Sequence, residues 1–240
     1  MSKVFKALLI LIIFTNTAFG QDNKLGSWGI FNIQMPGDSS HKWGGMIELQ
    51  SRSNELFNQF NYYETKGGVS YDLDKNFTAL LGGGRYLTYD YNNLGAGPTI
   101  IEARMWQQMT LSQYLDRIKL EHRYRIEQRW LNGHYRNRFR YRINAFVPLN
   151  KKKVGPETFF ITVFNEIFLN NHEPHFERNR FSAGLGYQFD KKWILQAAWL
   201  NQYNYVPGKG SAKNNIAFTL MYRILRKNAV AGERIPSTSD

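Results

Sequence analysis

Seven arginines crowd one short stretch of this chain: Arg123, Arg125, Arg129, Arg136, Arg138, Arg140 and Arg142, with only Glu121 and Glu127 interleaved among them. A guanidinium group presents a planar fork of donors that matches carboxylate or phosphate two bonds at a time. Rings of arginine in a pore favour anions. Two kinds of chemistry follow. The cations interlock with carboxylates as a structural network filling a narrow interior, or they line a path or pocket for a small anionic solute. Arg104, Glu102 and Glu166 belong with them as candidates on other segments, and Glu48 is a further source of negative charge. Opposed arginines such as Arg125 and Arg140 repel unless anions stand between them.

Other reactive types give less. The five histidines are His41, His122, His134, His172 and His175, and His41, behind Ser39-Ser40, is the one with serine within two residues. A serine hydroxyl beside a histidine is the arrangement of a lipid-modifying enzyme of the outer membrane, the alternative function class. In His172-Glu173-Pro174-His175 the proline breaks helical spacing and no third metal ligand is evident. The chain has no cysteine, so disulfides, thiolate metal sites and cysteine nucleophiles are excluded. Gly82-Gly83-Gly84 and Gly67-Gly68 lack the Lys-Ser/Thr of a nucleotide loop and read as bends, or as room for a large neighbour in a β wall. No catalytic residue, metal site or cofactor is expected.

The arginines fall on alternate residues, which fixes the element that carries them. Arg117 to Arg129 alternates with Ile118, Leu120, His122, Tyr124, Ile126, Gln128 and Trp130, and the pattern returns after Asn132-Gly133. On a helix such charges would be smeared around the circumference; on a strand they share one face. Asn-Gly is a strong two-residue hairpin signal. It pairs Leu131 with His134, Trp130 with Tyr135, Ile126 with Phe139, Tyr124 with Tyr141 and Leu120 with Ala145. On the other face Glu127 meets Arg138, Arg125 meets Arg140 and Arg123 meets Arg142.

Met46–Arg52, Ile101–Met109, Arg180–Phe189 and Ile216–Ile224 repeat the alternation. It is weaker in Phe57–Leu73, Phe77–Tyr89, Thr158–Leu169 and Trp193–Tyr205. An Asp-Lys turn between aromatic strand ends recurs at Asp74-Lys75 and Asp190-Lys191, and these are assigned to the periplasmic side. The breaks at 90–98, 170–175 and 207–212 then become outer loops, and 148–157 a longer inner turn. About eleven strands are counted from Gly26. Because single-chain bacterial barrels prefer even numbers, ten or twelve are expected, with Gly26–Met35 outside the wall or a strand merged or missed.

Lys3 and Lys6, the apolar run Ala7–Phe14 and Ala18-Phe19-Gly20 form a signal peptide over residues 1–20. The barrel is assigned to 21–225, and a polar tail to 226–240. Losing two lysines and no acid lowers the formal net charge from +12 to +10. Export takes nucleic acid out of reach. The partners left for a basic protein are outer-membrane lipid, lipopolysaccharide phosphates and small anions. Mean hydropathy is −0.49, compatible with a membrane barrel because only every second strand residue meets lipid. Aromatics at 15% suit interfacial girdles, with Trp43, Trp130 and Trp193 near strand ends. A soluble β-sandwich or lipocalin-like barrel also alternates. The signal peptide and alternating runs of 12 to 15 residues, where soluble strands average about five or six, favour the membrane.

Glu102-x-Arg104-x-Trp106-Gln107-Gln108, Arg123-x-Arg125-Ile126-Glu127-Gln128-Arg129, Arg138-x-Arg140-Tyr141-Arg142, Asn165-Glu166 and Gly184-x-Gly186-Tyr187 together resemble a family of uncharacterised Gram-negative proteins, a domain of unknown function regarded as outer-membrane β-barrels. The resemblance spans most of the mature chain. It implies the fold and an outer-membrane location, and brings no substrate or catalytic residues. The tail beyond Leu225 departs from the aromatic ending by which barrel-assembly machinery recognises its clients. The expectation is therefore a single-domain, all-β transmembrane antiparallel barrel of about 10–12 strands. It is porin-like and non-enzymatic, and it binds or passes a small anionic solute through an Arg/Glu-lined lumen; the other possibility for that lumen is a plugged structural barrel without transport.

Overall fold

A computed structural model describes residues 21–38 and 40–226. The segment expected to be a signal peptide (1–20), Ser39 and residues 227–240 of the expected tail lie outside the described residues. Eleven strands close into one barrel: β1 (Gln21–Met35), β2 (Trp43–Glu55), β3 (Asn58–Asp72), β4 (Phe77–Tyr89), β5 (Pro98–Leu115), β6 (Ile118–Leu131), β7 (His134–Pro148), β8 (Thr158–Asn170), β9 (Phe176–Gln188), β10 (Trp193–Asn204) and β11 (Ser211–Arg223). Each strand pairs antiparallel with the next.

The even-number expectation fails at the seam. β1 belongs to the wall and closes it by pairing parallel with β11, from Gly26↔Asn215 to Gln34↔Arg223, after an irregularity between Asp22 and Gly26. Antiparallel closure requires an even count; a single parallel pair removes that requirement, since parallel ladders bond as well at nearly the same strength.

The predicted hairpin register holds at every pair, from Leu131↔His134 to Leu120↔Ala145. Asn132 and Gly133 take φ of 46° and 87°, the positive pair a tight primed turn requires. The Asp-Lys turns also match each other. Asp74 Oδ1 accepts from the backbone N–H groups of Asn76 and Phe77, at 2.6 and 2.8 Å. Asp190 Oδ1 accepts from Lys192 and Trp193, each at 2.7 Å. Both turns lie at one end of the barrel, here called the turn mouth, with the connections 36–42, 116–117 and 149–157. The opposite end, the loop mouth, carries 56–57, 90–97, 132–133, 171–175 and 205–210.

Alternation divides the two faces. Ile47, Leu81, Ile126, Phe139 and Leu185 point outward and are exposed, while the charged residues between them are buried inside. Polar side chains on the outer face satisfy one another: Gln107 and Gln128 exchange amide hydrogen bonds at 3.2 and 3.1 Å, and Asn165 and Asn179 do so at 3.1 Å each. Aromatic pairs gather near both ends, with Trp43–Tyr71 and Trp193–Tyr222 at the turn mouth and Trp130–Tyr135 and Phe176–Tyr205 at the loop mouth. No helix among the described residues is long and apolar enough to cross a membrane, which leaves strands untouched as a means of crossing.

The interior is packed, and part of its filling is apolar. Trp28, Ile30, Phe164, Leu200 and Ala217 form one cluster; Phe146, Phe160, Ile194 and Met221 form another, with Val154 laid against it. This explains the weak alternation of β8 and β10, where both faces carry apolar groups. Glycine supplies room for two large rings: a Cβ on Gly82 would collide with the Trp106 indole, and one on Gly186 with the Phe160 ring.

Candidate functional site

Inward-pointing charges on β5 to β9 join into one continuous relay. Glu102 on β5 accepts two bonds from Arg104, each 2.7 Å, and is also bonded by Arg129 of β6. Arg129 reaches on to Glu177 of β9 at 3.3 Å, and Glu177 accepts from Arg138 of β7 at 2.8 Å. Arg138 Nε donates to Glu127 at 2.7 Å, and Glu127 accepts from Arg140 at 2.7 Å. Arg140 then bridges to Glu166 of β8 at 2.8 Å, and Glu166 also holds Arg123 at 2.6 Å and Arg142 at 2.7 Å. Arg125 sits 3.5 Å from Glu127 and donates twice to Gln108, at 2.9 and 2.6 Å. The repulsion between facing arginines is thus relieved by Glu127 and Glu166 standing between them.

Rings complete the packing. The guanidinium carbons of Arg140 and Arg142 lie 4.5 and 4.2 Å from the centres of Phe168 and Phe164, and that of Arg104 lies 3.6 Å from Tyr86. Such stacking adds attraction where the cation is out of water. Across the lumen a smaller group joins Lys66 to Glu48 at 2.7 Å and to Glu64, with Asn32 donating to Glu48 at 2.8 Å. Glu48 therefore serves Lys66 and Asn32 rather than the β6–β7 arginines.

Near the middle of their strands Trp106, Glu48, Glu64, Glu127 and Glu166 are all 0% exposed, so side chains close the barrel at this waist. A cavity of about 120 Å3 opens in the turn-mouth half, lined by Gln34, Asp72, Thr78, Glu121 and Arg223 and ending against Trp106 and Arg125. Even so, the interior is not neutral. Among the described residues eleven Lys and Arg are buried against seven Asp and Glu.

Residues 25–214 match the family described as Protein of unknown function (DUF2490). The chain belongs to the DUF2490 family. No curated protein and no solved structure matches it. The match covers the wall from β1 into β11, so the relay and the waist of this DUF2490 barrel lie wholly within it.

Of the residues singled out in sequence, Glu102, Arg104, Arg123, Arg125, Glu127, Arg129, Arg138, Arg140, Arg142 and Glu166 meet in the relay. Arg136 does not: it stands half-buried at the loop mouth opposite Arg129, without an ion pair among the described residues. His41 lies in the 36–42 turn, 3.4 Å from Asp38. His172 and His175 occupy the 171–175 loop, and among the described residues no three His, Asp or Glu side chains gather as a metal site. Sequence reading missed Glu177 and Arg178, and it placed Arg52 and Arg180 on alternating segments without counting them among the site residues. A register shift at Phe168/Leu169 pairs Phe168 with Arg178 and Leu169 with Phe176, leaving Glu177 as the extra residue of a β-bulge. Strict alternation places Glu177 on the wrong face; the bulge lets it join its neighbours. Arg178 continues the alternation that begins at Arg180, and starting that segment two residues earlier would have revealed it.

Proposed function

We propose that this DUF2490 barrel resides in the bacterial outer membrane, closed at its waist, and binds a small anionic solute in its cation-rich lumen without an open passage. Support for the membrane lies in the outward apolar face, the mutually bonded amides on it, and aromatic rings near both mouths. Strands of 12 to 18 residues match the thickness to be crossed: about 13 residues at roughly 3.3 Å each, tilted about 40°, rise some 30 Å. Anion binding rests on the excess of buried cations over buried acids. A net positive charge held out of water is costly, and a bound anion offsets it.

The decisive experiment is ion conductance in a planar bilayer, for the wild type and for Arg140→Glu. The closed waist predicts no steady conductance from the wild type. An anion-selective current that Arg140→Glu abolishes or reverses would establish passage and refute closure.

A further inference from the structure

Two residues that line the turn-mouth cavity each hold a polar atom with no hydrogen-bond partner. Trp106, which ends the cavity, is 0% exposed, and its indole N–H finds no acceptor among the described residues. Glu121 is 4% exposed and receives Lys119 on Oε2 at 3.1 Å, while its Oε1 meets no donor among the described residues. Buried indole N–H groups and carboxylate oxygens ordinarily find partners, because a polar atom kept from water without one is costly. One of these atoms asks for an acceptor and the other for a donor.

Strand register builds the rest of the wall. On the inward face Asp72 of β3 stands opposite Thr78 of β4, Thr78 opposite Thr110 of β5, and Ser112 of β5 opposite Glu121 of β6. Ser70 lies one inward position before Asp72. Ser70, Thr78, Thr110 and Ser112 all line the cavity, and a hydroxyl both donates and accepts. Thr78 donates to Asp72 Oδ1 at 2.8 Å, and Thr110 accepts from Gln108 at 3.2 Å. Leu80 and Met46 add an apolar strip to the same wall. Water serves the polar atoms of such a lining but gains nothing from the strip; a molecule with hydroxyls on a carbon chain serves both.

We propose that the turn-mouth cavity is a binding site for a small neutral polyol of about the size of glycerol. A cavity of roughly 150 Å3 holds benzene, so the 120 Å3 here suits a three-carbon chain with its hydroxyls. One hydroxyl oxygen accepts from Trp106 Nε1–H, another hydroxyl donates to Glu121 Oε1, and the serine and threonine hydroxyls meet the remainder. The carbon chain lies along Leu80 and Met46. Charges at the wall are engaged with protein groups, Lys119 with Glu121 and Arg125 with Gln108 and Glu127, so the ligand brings none. The solute enters by the turn mouth and stops at Trp106. This site stands apart from the anion-binding reading and does not depend on it.

The test is titration of glycerol into the folded full-length barrel carrying 15N-labelled tryptophan in detergent, followed by the indole N–H resonances. The Trp106 signal is assigned by its absence from Trp106→Phe, and heat-modifiable gel migration checks that each variant is folded. The wild type should show a saturable shift of the Trp106 signal with the other indole signals unmoved. Losing a bond to a carboxylate predicts binding about tenfold weaker in Glu121→Gln. Ser112→Leu, which fills the cavity beside Glu121 without touching its charge, should abolish the shift, and Glu173→Gln in the 171–175 loop should leave it unchanged. A wild-type Trp106 signal that stays in place, or drifts with glycerol without saturating, would overturn the site and leave the cavity to water. Folded Glu121→Gln and Ser112→Leu variants that bind as the wild type does would overturn it equally.

Discussion

Arg142 and Glu166 face each other across one rung of the β7–β8 ladder, and Arg142 Nη2 lies 2.7 Å from Glu166 Oε2 with both side chains out of water. The same carboxylate also holds Arg123 and Arg140, so one acid of β8 secures three cations on two other strands. That concentration makes Glu166 the most sensitive point of the relay. Removing one partner of a buried pair costs about 3 to 5 kcal/mol, because the remaining charges stay out of water unpaired. Glu166→Gln should therefore lower unfolding free energy in detergent by at least that range, measured by urea titration. A loss below about 1 kcal/mol would mean that the relay is solvated.

The outward amide pair offers a second test. In hydrocarbon, Gln107 and Gln128 satisfy only each other. Gln107→Leu alone should destabilise the barrel in a bilayer by about 1 kcal/mol, and adding Gln128→Leu should restore the loss. Additive effects of the two changes would place this face in water.

Gly82 and Trp106 sit opposite each other in the β4–β5 register, and the glycine makes space for the indole at the waist. Gly82→Ala should cost about 1 to 3 kcal/mol through overpacking. Combining it with Trp106→Leu should recover most of that in the same unfolding assay. An unchanged wild-type stability on Gly82→Ala alone would show that the waist is loosely packed.

Asp190 caps its turn with two backbone hydrogen bonds, from Trp193 and Lys192, which hold its carboxyl below the usual carboxylate pKa. A depressed folded-state value stabilises the fold above the unfolded pKa, and the contribution is lost as pH falls through the folded one. The stability gap between wild type and Asp190→Ala should thus be full at neutral pH and shrink progressively below about pH 4. A gap independent of pH down to complete unfolding would separate the turn from carboxylate charge.

Local rules made much of this legible in sequence. The β6–β7 register followed from Asn132-Gly133 and the alternation alone, because a two-residue turn leaves no freedom in pairing. Gly82 was readable as space for a neighbouring large side chain, and Trp106 fills it. Strand parity was not readable, since the parallel β1–β11 contact joins residues nearly two hundred positions apart and leaves no local signature. Nor was the role of Glu177, whose inward position depends on a bulge. Arg52 and Arg180 stood on alternating segments without being counted in the charged interior, and Arg178 lies two residues before the segment that begins at Arg180.

The central claim, a membrane barrel with charge inside and apolar groups outside, is tested most directly by depth-dependent quenching. The sequence contains no cysteine, so single substitutions label cleanly. Ile126→Cys, Phe139→Cys and Leu185→Cys on the outer face, and Gln196→Cys on the inner, are each given an environment-sensitive fluorophore in liposomes containing brominated lipid. Strong quenching is predicted at all three outward positions and none at the inward one. Outward labels that brominated lipid leaves bright and aqueous iodide quenches would contradict the account.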